Sequence, residues 1–283
     1  MRGAGESSLG VVALVAVLAL VGIAPAKEGS SGPQKSWPRV TYPGDAAVRD
    51  AASFATGRGA VSFAVIDADG GVRGYDANTA YSSASASKAL LLAAELHRLR
   101  TEKGSLDEGT RALLEPMITY SDNDAAGAVY ARVGDAGLEG VAERAGMRSF
   151  GMDPGFWGGA QLTAADLARF YWRLERNFPG RYRAYGMRLL AHITETQRWG
   201  IPAAAGEDWR VWFKGGWRPA GQEGTTGAVT HQGALLVHRG GERLALAVLT
   251  NEVPGTGGGY TAIEGVTDRL LAEPPRGGRW PVP

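Results

Sequence analysis

Two periodicities of hydrophobic residues follow one another along the chain in an order that few architectures accommodate. A helical spacing over Asp45 to Thr56 precedes two short β-rich runs, Val61 to Ile66 and Val72 to Tyr75, split by the turn Asp69-Gly70-Gly71. A long block with helical character follows. It comprises Ser85 to about Glu102, Leu106 to Met117, Ala125 to Val133, Leu138 to Ala145, a helix opened by the capping string Thr163-Ala-Ala-Asp166 and running to Leu174, and Tyr182 to Thr196. Met147 to Leu162 reads as a loop within this block. Strand character returns at Trp209 to Phe213, Gly227 to Val237 and Leu244 to Thr250, with Arg239-Gly240-Gly241 as a hairpin turn, and Ala262 to Leu271 closes as a helix. Strands from both ends of the sequence can share one antiparallel sheet only if the central helices form a separate lobe. The expected class is α+β: a five-stranded antiparallel sheet with flanking helices, an all-helical lobe, and a cleft between them.

Upstream of this body the chain reads differently. Arg2 precedes an apolar run, Val11 to Ile23, that is short for a membrane span and is followed by Ala24-Pro25-Ala26. Residues 1–26 are expected to be a signal peptide or an N-terminal anchor, so that the rest is exported, either secreted or held at the cell envelope. Residues 27–43 are rich in Gly, Ser, Pro and Lys and read as a disordered linker. Residues 44–283 are assigned to the folded domain.

Composition narrows the chemistry. With 30 basic and 29 acidic residues the formal charge is +1, which offers no footprint for nucleic acid or for a polybasic membrane surface. Contact with a membrane is expected only through the N-terminal segment, if it is uncleaved. The chain has no cysteine, so disulfides, zinc–thiolate sites and thiol nucleophiles are excluded. Its four histidines show no metal-ligand spacing, and no G-x-S-x-G string supports a Ser-His-Asp triad. No cofactor or metal is expected. Gly255 to Gly259 lacks the Lys-Ser/Thr of a phosphate loop.

Three short strings remain. Ser85-Ala-Ser-Lys88 opens a helix, Ser121-Asp122-Asn123 lies between two helices, and Lys214-Gly215-Gly216 ends a β-rich run. Residues three apart share a helical face, so the Lys88 amine can reach the Ser85 hydroxyl. A serine is a poor nucleophile until a base takes its proton, and an amine serves if a buried, positive neighbourhood lowers its pKa. Lys214 can supply that charge. Only five of the 30 basic residues are lysines, leaving 25 arginines, and two of the three lysines in the folded domain fall in these strings. Arginine cannot act as a base at neutral pH, whereas a perturbed lysine can.

In this order, S-x-x-K, S-D-N and K-x-G resemble the signature of the class A β-lactamase and penicillin-binding protein superfamily. The resemblance runs from about Asp45 to Ala272. It includes Met117-Ile-Thr-Tyr-Ser-Asp-Asn-Asp-Ala-Ala and Leu246-Ala-Val-Leu-Thr-Asn251. The strings Gln197-Arg-Trp-Gly-Ile-Pro202 and Lys214-Gly-Gly-Trp217 look like a lysine-poor actinobacterial branch of serine hydrolases. The resemblance implies Ser85 as nucleophile, Lys88 as general base and Ser121 as proton relay to the leaving nitrogen. It implies Asn123 as ligand of the substrate amide, Asp122 as a structural cap and Lys214 as attractor of the substrate carboxylate. It also implies an oxyanion hole from the Ser85 and Trp217 N–H groups beside Gly216. The substrate would be a small β-lactam or a D-Ala-D-Ala peptide, handled by a monomer through an acyl-enzyme. A non-catalytic envelope-binding domain on the same fold is the competing expectation.

The chain departs from the signature in three ways. Gly215 stands where the superfamily has a hydroxyl residue, and Thr225, Thr226, Thr230, His231 and Gln232 are candidates to replace it. The loop that would carry the deacylating glutamate holds only Asp153 as an acid. The segment between Lys88 and Ser121 is short, which implies a more open cleft.

Overall fold

The computed structural model describes residues 41–221, 228–253 and 257–275. The expectations for residues 1–40 lie outside the described residues. Tyr42 and Pro43, assigned to the linker, are already packed on the domain. The Tyr42 ring stacks on Trp209, its N–H donates to Asp67, and the Pro43 carbonyl accepts from Arg73.

In chain order the elements are α1 (Asp45–Ala55), β1 (Ala60–Ile66), β2 (Val72–Tyr75), β3 (Ala80–Ser82), a 3-10 turn over Ala84–Ser87, α2 (Lys88–Thr101), α3 (Glu108–Thr119), α4 (Asn123–Ala145), β4 (Gly151–Asp153), β5 (Phe156–Thr163), α5 (Ala164–Trp172), α6 (Arg183–Ala191), α7 (Ile201–Ala205), β6 (Trp209–Arg218), β7 (Val229–His238), β8 (Arg243–Asn251) and α8 (Gly258–Leu271). Five strands form one antiparallel sheet in the order β2-β1-β8-β7-β6, so the ends of the sequence do meet through β1 and β8. Helices α1 and α8 pack on one face, where Phe54 of α1 lies over Gly265 of α8. Helix α5 packs on the other, with Leu167 and Tyr171 against Gly233 of β7.

Helix α2 is the axis of the core. From Lys88 to Leu96 every residue is buried, because Lys-Ala-Leu-Leu-Leu-Ala-Ala-Glu-Leu is apolar on nearly all sides. Its one internal acid, Glu95, is held by Arg98 at 2.7 and 2.8 Å and by Arg132 of α4 at 3.2 Å.

The two helices expected over Ala125–Ala145 are both present, numbered together as α4 and parted by Gly134, whose φ of 60° departs from helical geometry. Two expectations are corrected. The helix expected over Tyr182–Thr196 stops at Ala191, since the Thr194 N–H is taken by the Thr119 carbonyl at the end of α3. The loop expected over Met147–Leu162 is instead a hairpin, β4 and β5, turning at Gly155 (φ 82°) and paired with β3 in a second sheet. Its glycines hide the alternation that marks a strand.

The capping string works as read: the Thr163 hydroxyl accepts from the Asp166 N–H. The Asp166 carboxylate, fully buried, accepts from the Arg148 and Ser149 N–H groups at 2.6 and 3.1 Å and from Arg169 at 3.2 Å. Asp166→Ala would leave two N–H groups and a guanidinium without their acceptor. We predict a loss of about 3 kcal/mol in urea unfolding, against less than about 0.5 kcal/mol for an exposed control such as Glu143→Ala.

Candidate active site

Ser85 sits in the 3-10 turn at the head of α2, a tighter arrangement than the α-helix expected from sequence. The turn sets Ser85 three residues before Lys88, which opens α2, and the Lys88 amine bonds Ser121 and Asn123 rather than the Ser85 hydroxyl. The turn is anchored from both sides: the Ser83 N–H donates to the Ala160 carbonyl of β5 at 2.7 Å, and the Ser87 hydroxyl to the Ala84 carbonyl at 2.8 Å. Ala84 has a φ of 46° and Ser121 a φ of 63°. Five described non-glycine residues lie in this region, and these two flank the candidate chemistry. Backbone strain of about 1–3 kcal/mol persists where surroundings over-determine a conformation, as at functional sites.

The three strings converge. The Lys88 Nζ donates to the Ser121 carbonyl at 2.5 Å and to Asn123 Oδ1 at 2.7 Å, and lies 3.2 Å from Ser121 Oγ. The Lys214 Nζ lies 3.0 Å from the same hydroxyl and donates to the Gly215 carbonyl at 2.7 Å. One hydroxyl therefore bridges two amines. Both lysine side chains are fully buried. Burial pushes Lys88 down to about 8, a shift opposed by the nearby Asp122 charge. Burial, and then the charge of Lys88, push Lys214 well below its ordinary value. Asp122 itself caps α4, accepting from the Ala125 N–H at 2.7 Å.

Residues directly opposite in a sheet share a face. Lys214 pairs with Gly233 and Gly216 with His231, so these face the helical lobe, whereas Gly215 and Trp217 face α8 with Gln232 and Thr230. The β6 backbone comes so near the nucleophile that a Cβ at Gly216 would lie 2.7 Å from the Ser85 N. Glycine is required there because no side chain fits between strand and turn. On the other face the Trp199 ring covers Gly215, and a Cβ added at Gly215 would meet two of its atoms at 3.2 Å. Trp199 also packs edge-on against Trp217 at 6.1 Å and against Tyr260 at 4.3 Å. The Trp217 ring lies on the α8 face, 39% exposed, and its main chain belongs to the edge strand β6.

The described candidates for the missing hydroxyl are otherwise occupied. Thr225 and Thr226 lie outside the described residues. Thr230 packs under Gly259 of α8. Gln232 holds the Trp199–Ile201 segment, accepting from the Ile201 N–H at 2.7 Å and donating to the Trp199 carbonyl at 2.7 Å. His231, another of these candidates, is a strand histidine whose two ring nitrogens are both engaged. It is fully buried; Nδ1 accepts from the Thr250 N–H at 3.2 Å, which leaves Nε2 to donate to the Ser82 carbonyl at 3.0 Å, three residues before the nucleophile. Burial pushes its pKa down to about 4, with the Arg218 charge acting in the same direction. Its pairing across from Gly216 emerges only once the register of β6 and β7 is known.

Asp153 is exposed in β4 and lies against Gly159. The group over Lys88 is the Trp157 ring, whose centroid is 4.9 Å from Nζ. No carboxylate pairs with Lys88 among the described residues. No cluster of three or more His, Cys, Asp or Glu suited to a metal occurs among them either.

With this geometry in hand, comparison with known proteins is informative. The model of the beta-lactamase enzyme family matches residues 109–273, a span that includes Ser121 and Lys214 but begins after Lys88. The chain is similar to the β-lactamase of Sphaerobacter thermophilus (TM-score 0.67, 19% identity, 80% of this chain and 95% of that one). It is similar to the class A β-lactamase of Mycobacterium abscessus (0.67, 21%, 80% and 98%) and to PBP-A (0.69, 15%, 80% and 94%). No curated protein matches it.

Two outcomes follow. Restoring the family hydroxyl with Gly215→Thr is expected to lower stability by about 1–3 kcal/mol in urea, because the new side chain meets Trp199. A double-mutant cycle with Trp199→Ala is expected to recover most of that loss. Second, His231 is held neutral in the fold but titrates near 6.5 when unfolded. Its contribution to stability is present above pH 6.5 and is lost as pH falls toward 4. His97, pushed down to about 4 by burial and then by Arg144, acts in the same window. The melting temperature is expected to fall steeply from pH 6.5 to 4.5, and less steeply in His231→Gln.

Proposed function

The chain belongs to the beta-lactamase enzyme family, and from that premise we propose that it is a serine hydrolase acylated on Ser85, acting on β-lactams or acyl-D-Ala-D-Ala peptides. The observation that carries this reading is the Ser121 hydroxyl lying within hydrogen-bond reach of both buried amines, Lys88 and Lys214.

The reaction runs as follows. Burial lowers the proton affinity of both amines, and the charge of Lys88 lowers that of Lys214 further. A substrate carboxylate reaching Lys214 raises the proton affinity of that amine. Lys88 itself releases its proton to solvent above its lowered value of about 8 and is then neutral. Neutral Lys88 takes the Ser85 Oγ proton as the oxygen attacks the carbonyl carbon. The Ser85 and Trp217 N–H groups stabilise the resulting oxyanion, each worth about 10²–10³ in rate. The carbon–nitrogen bond then breaks, Ser121 delivers a proton to the departing nitrogen, and Lys88 returns one to Ser121. Asn123 orients the substrate amide. Water completes the cycle by hydrolysing the ester.

That last step is slow in this reading. General base catalysis contributes about 10²–10⁴, and Lys88 has an indole above it and no carboxylate partner among the described residues. Acyl-enzyme therefore accumulates, which favours penicillin-binding or D,D-peptidase behaviour over fast β-lactam turnover. An activated serine argues against a purely binding role.

The test is labelling by a fluorescent penicillin. Ser85→Ala is expected to abolish labelling, and Lys88→Arg to slow it at least a hundredfold, since a guanidinium cannot accept the proton. The wild-type acylation rate is expected to rise with pH through a midpoint near 8, as Lys88 loses its proton. Persistent labelling of Ser85→Ala, or a rate that falls from pH 6 to 9, would contradict the proposal.

A further inference from the structure

A cleft of about 920 Å³ opens at the opposite end of the central sheet from the Ser85 site. It lies where the end of α4, the helix α5, the β1–β2 turn and the start of β8 meet. Arg243, on its wall, pairs with Val237, whereas Lys214 pairs with Gly233 and through it aligns with Ala247. The two sites are thus about 13 Å apart along the strands alone.

Five arginines line this cleft: Arg148, Arg169, Arg173, Arg176 and Arg243. Three are fixed in place. Arg169 is held by buried Asp166 at 3.2 Å, Arg173 donates to the Ala145 carbonyl at 2.9 Å, and Arg243 is held by Glu175 at 2.9 Å and by the Trp172 carbonyl at 3.2 Å. Arg148 and Arg176 are exposed, and their side chains have no partner among the described residues. Glu175 is the one acid on the wall. Counting Asp166 behind Arg169 as well, five positive charges face two negative ones, a local excess of +3 in a chain whose total is +1.

Each guanidinium carries five N–H donors in a planar fork. Arg169 and Arg173 each engage one nitrogen in the bonds above, so most of their donors remain available. Such forks match phosphate oxygens in bidentate geometry, and a concave wall of one charge concentrates the potential inside it. A monoanionic carboxylate neutralises one charge of the three and reaches only one or two of the arginines. We infer that this cleft is a binding site for a small oligophosphate anion carrying at least three negative charges. The inference does not depend on the role assigned to Ser85.

The experiment is calorimetric titration of the full 283-residue chain with tripolyphosphate at low salt, with inorganic phosphate as comparison. Saturable binding is expected, at least tenfold tighter for tripolyphosphate than for phosphate. Arg148→Glu/Arg176→Glu is expected to weaken it at least tenfold with an unchanged melting temperature, since both side chains are exposed and unpartnered. Arg148→Lys/Arg176→Lys retains the charge but loses the fork, and is expected to fall between. Absence of binding, equal affinity for the two anions, or full affinity in the Glu pair would overturn the inference. Fluorescent-penicillin labelling of the same variants reads the Ser85 site separately.

Discussion

Two buried amines meet on one hydroxyl, and much of the molecule is arranged to make that tolerable. A desolvated ammonium beside another is costly. Here the cost is limited by a carbonyl and an amide oxygen for Lys88, and by the Gly215 carbonyl for Lys214. The Ser121 carbonyl reaches Lys88 only because Ser121 adopts its left-handed conformation, which Asp122 supports by capping α4. Lys88 is buried because it begins α2, whose residues from Lys88 to Leu96 are all buried, and Lys214 because β6 runs beneath the lobe. The lowered proton affinities are therefore consequences of packing.

The second constraint is the close approach of β6 to the nucleophile turn. Gly216 admits it sterically, and His231, one strand further in, ties the carbonyl of Ser82 to the sheet. Trp199 takes the space over Gly215 on the opposite face, with Gln232 fixing its main chain. Gly215 thus lies beneath the Trp199 ring, which packs against Trp217 and Tyr260. The indole of Trp157 lies over Lys88, and no carboxylate pairs with that amine among the described residues.

The sequence was most informative where local rules decide. Val72–Tyr75 is bounded by turn residues and coincides with a strand, and Thr163 caps its helix with the expected bond. Spacing linked Ser85 with Lys88, and the resemblance to the S-x-x-K, S-D-N and K-x-G signature added Ser121, Asn123 and Lys214 as candidates. What it could not convey depends on register and on glycine-rich backbone. The β4–β5 hairpin has too few side chains to show alternation, His231 acquires its meaning only opposite Gly216, and the five arginines of the distal cleft are scattered from 148 to 243. Nothing in their sequence neighbourhoods links them before the α4–α5 junction folds against β8.

The most direct test of the central claim is the intact mass of the protein followed over time after mixing with benzylpenicillin. If paired amines activate Ser85 and no carboxylate assists the water, the account predicts a single covalent adduct on Ser85 that forms quickly and persists for many minutes. An adduct that never forms, or that vanishes within seconds while penicillin is consumed in large excess, would contradict it.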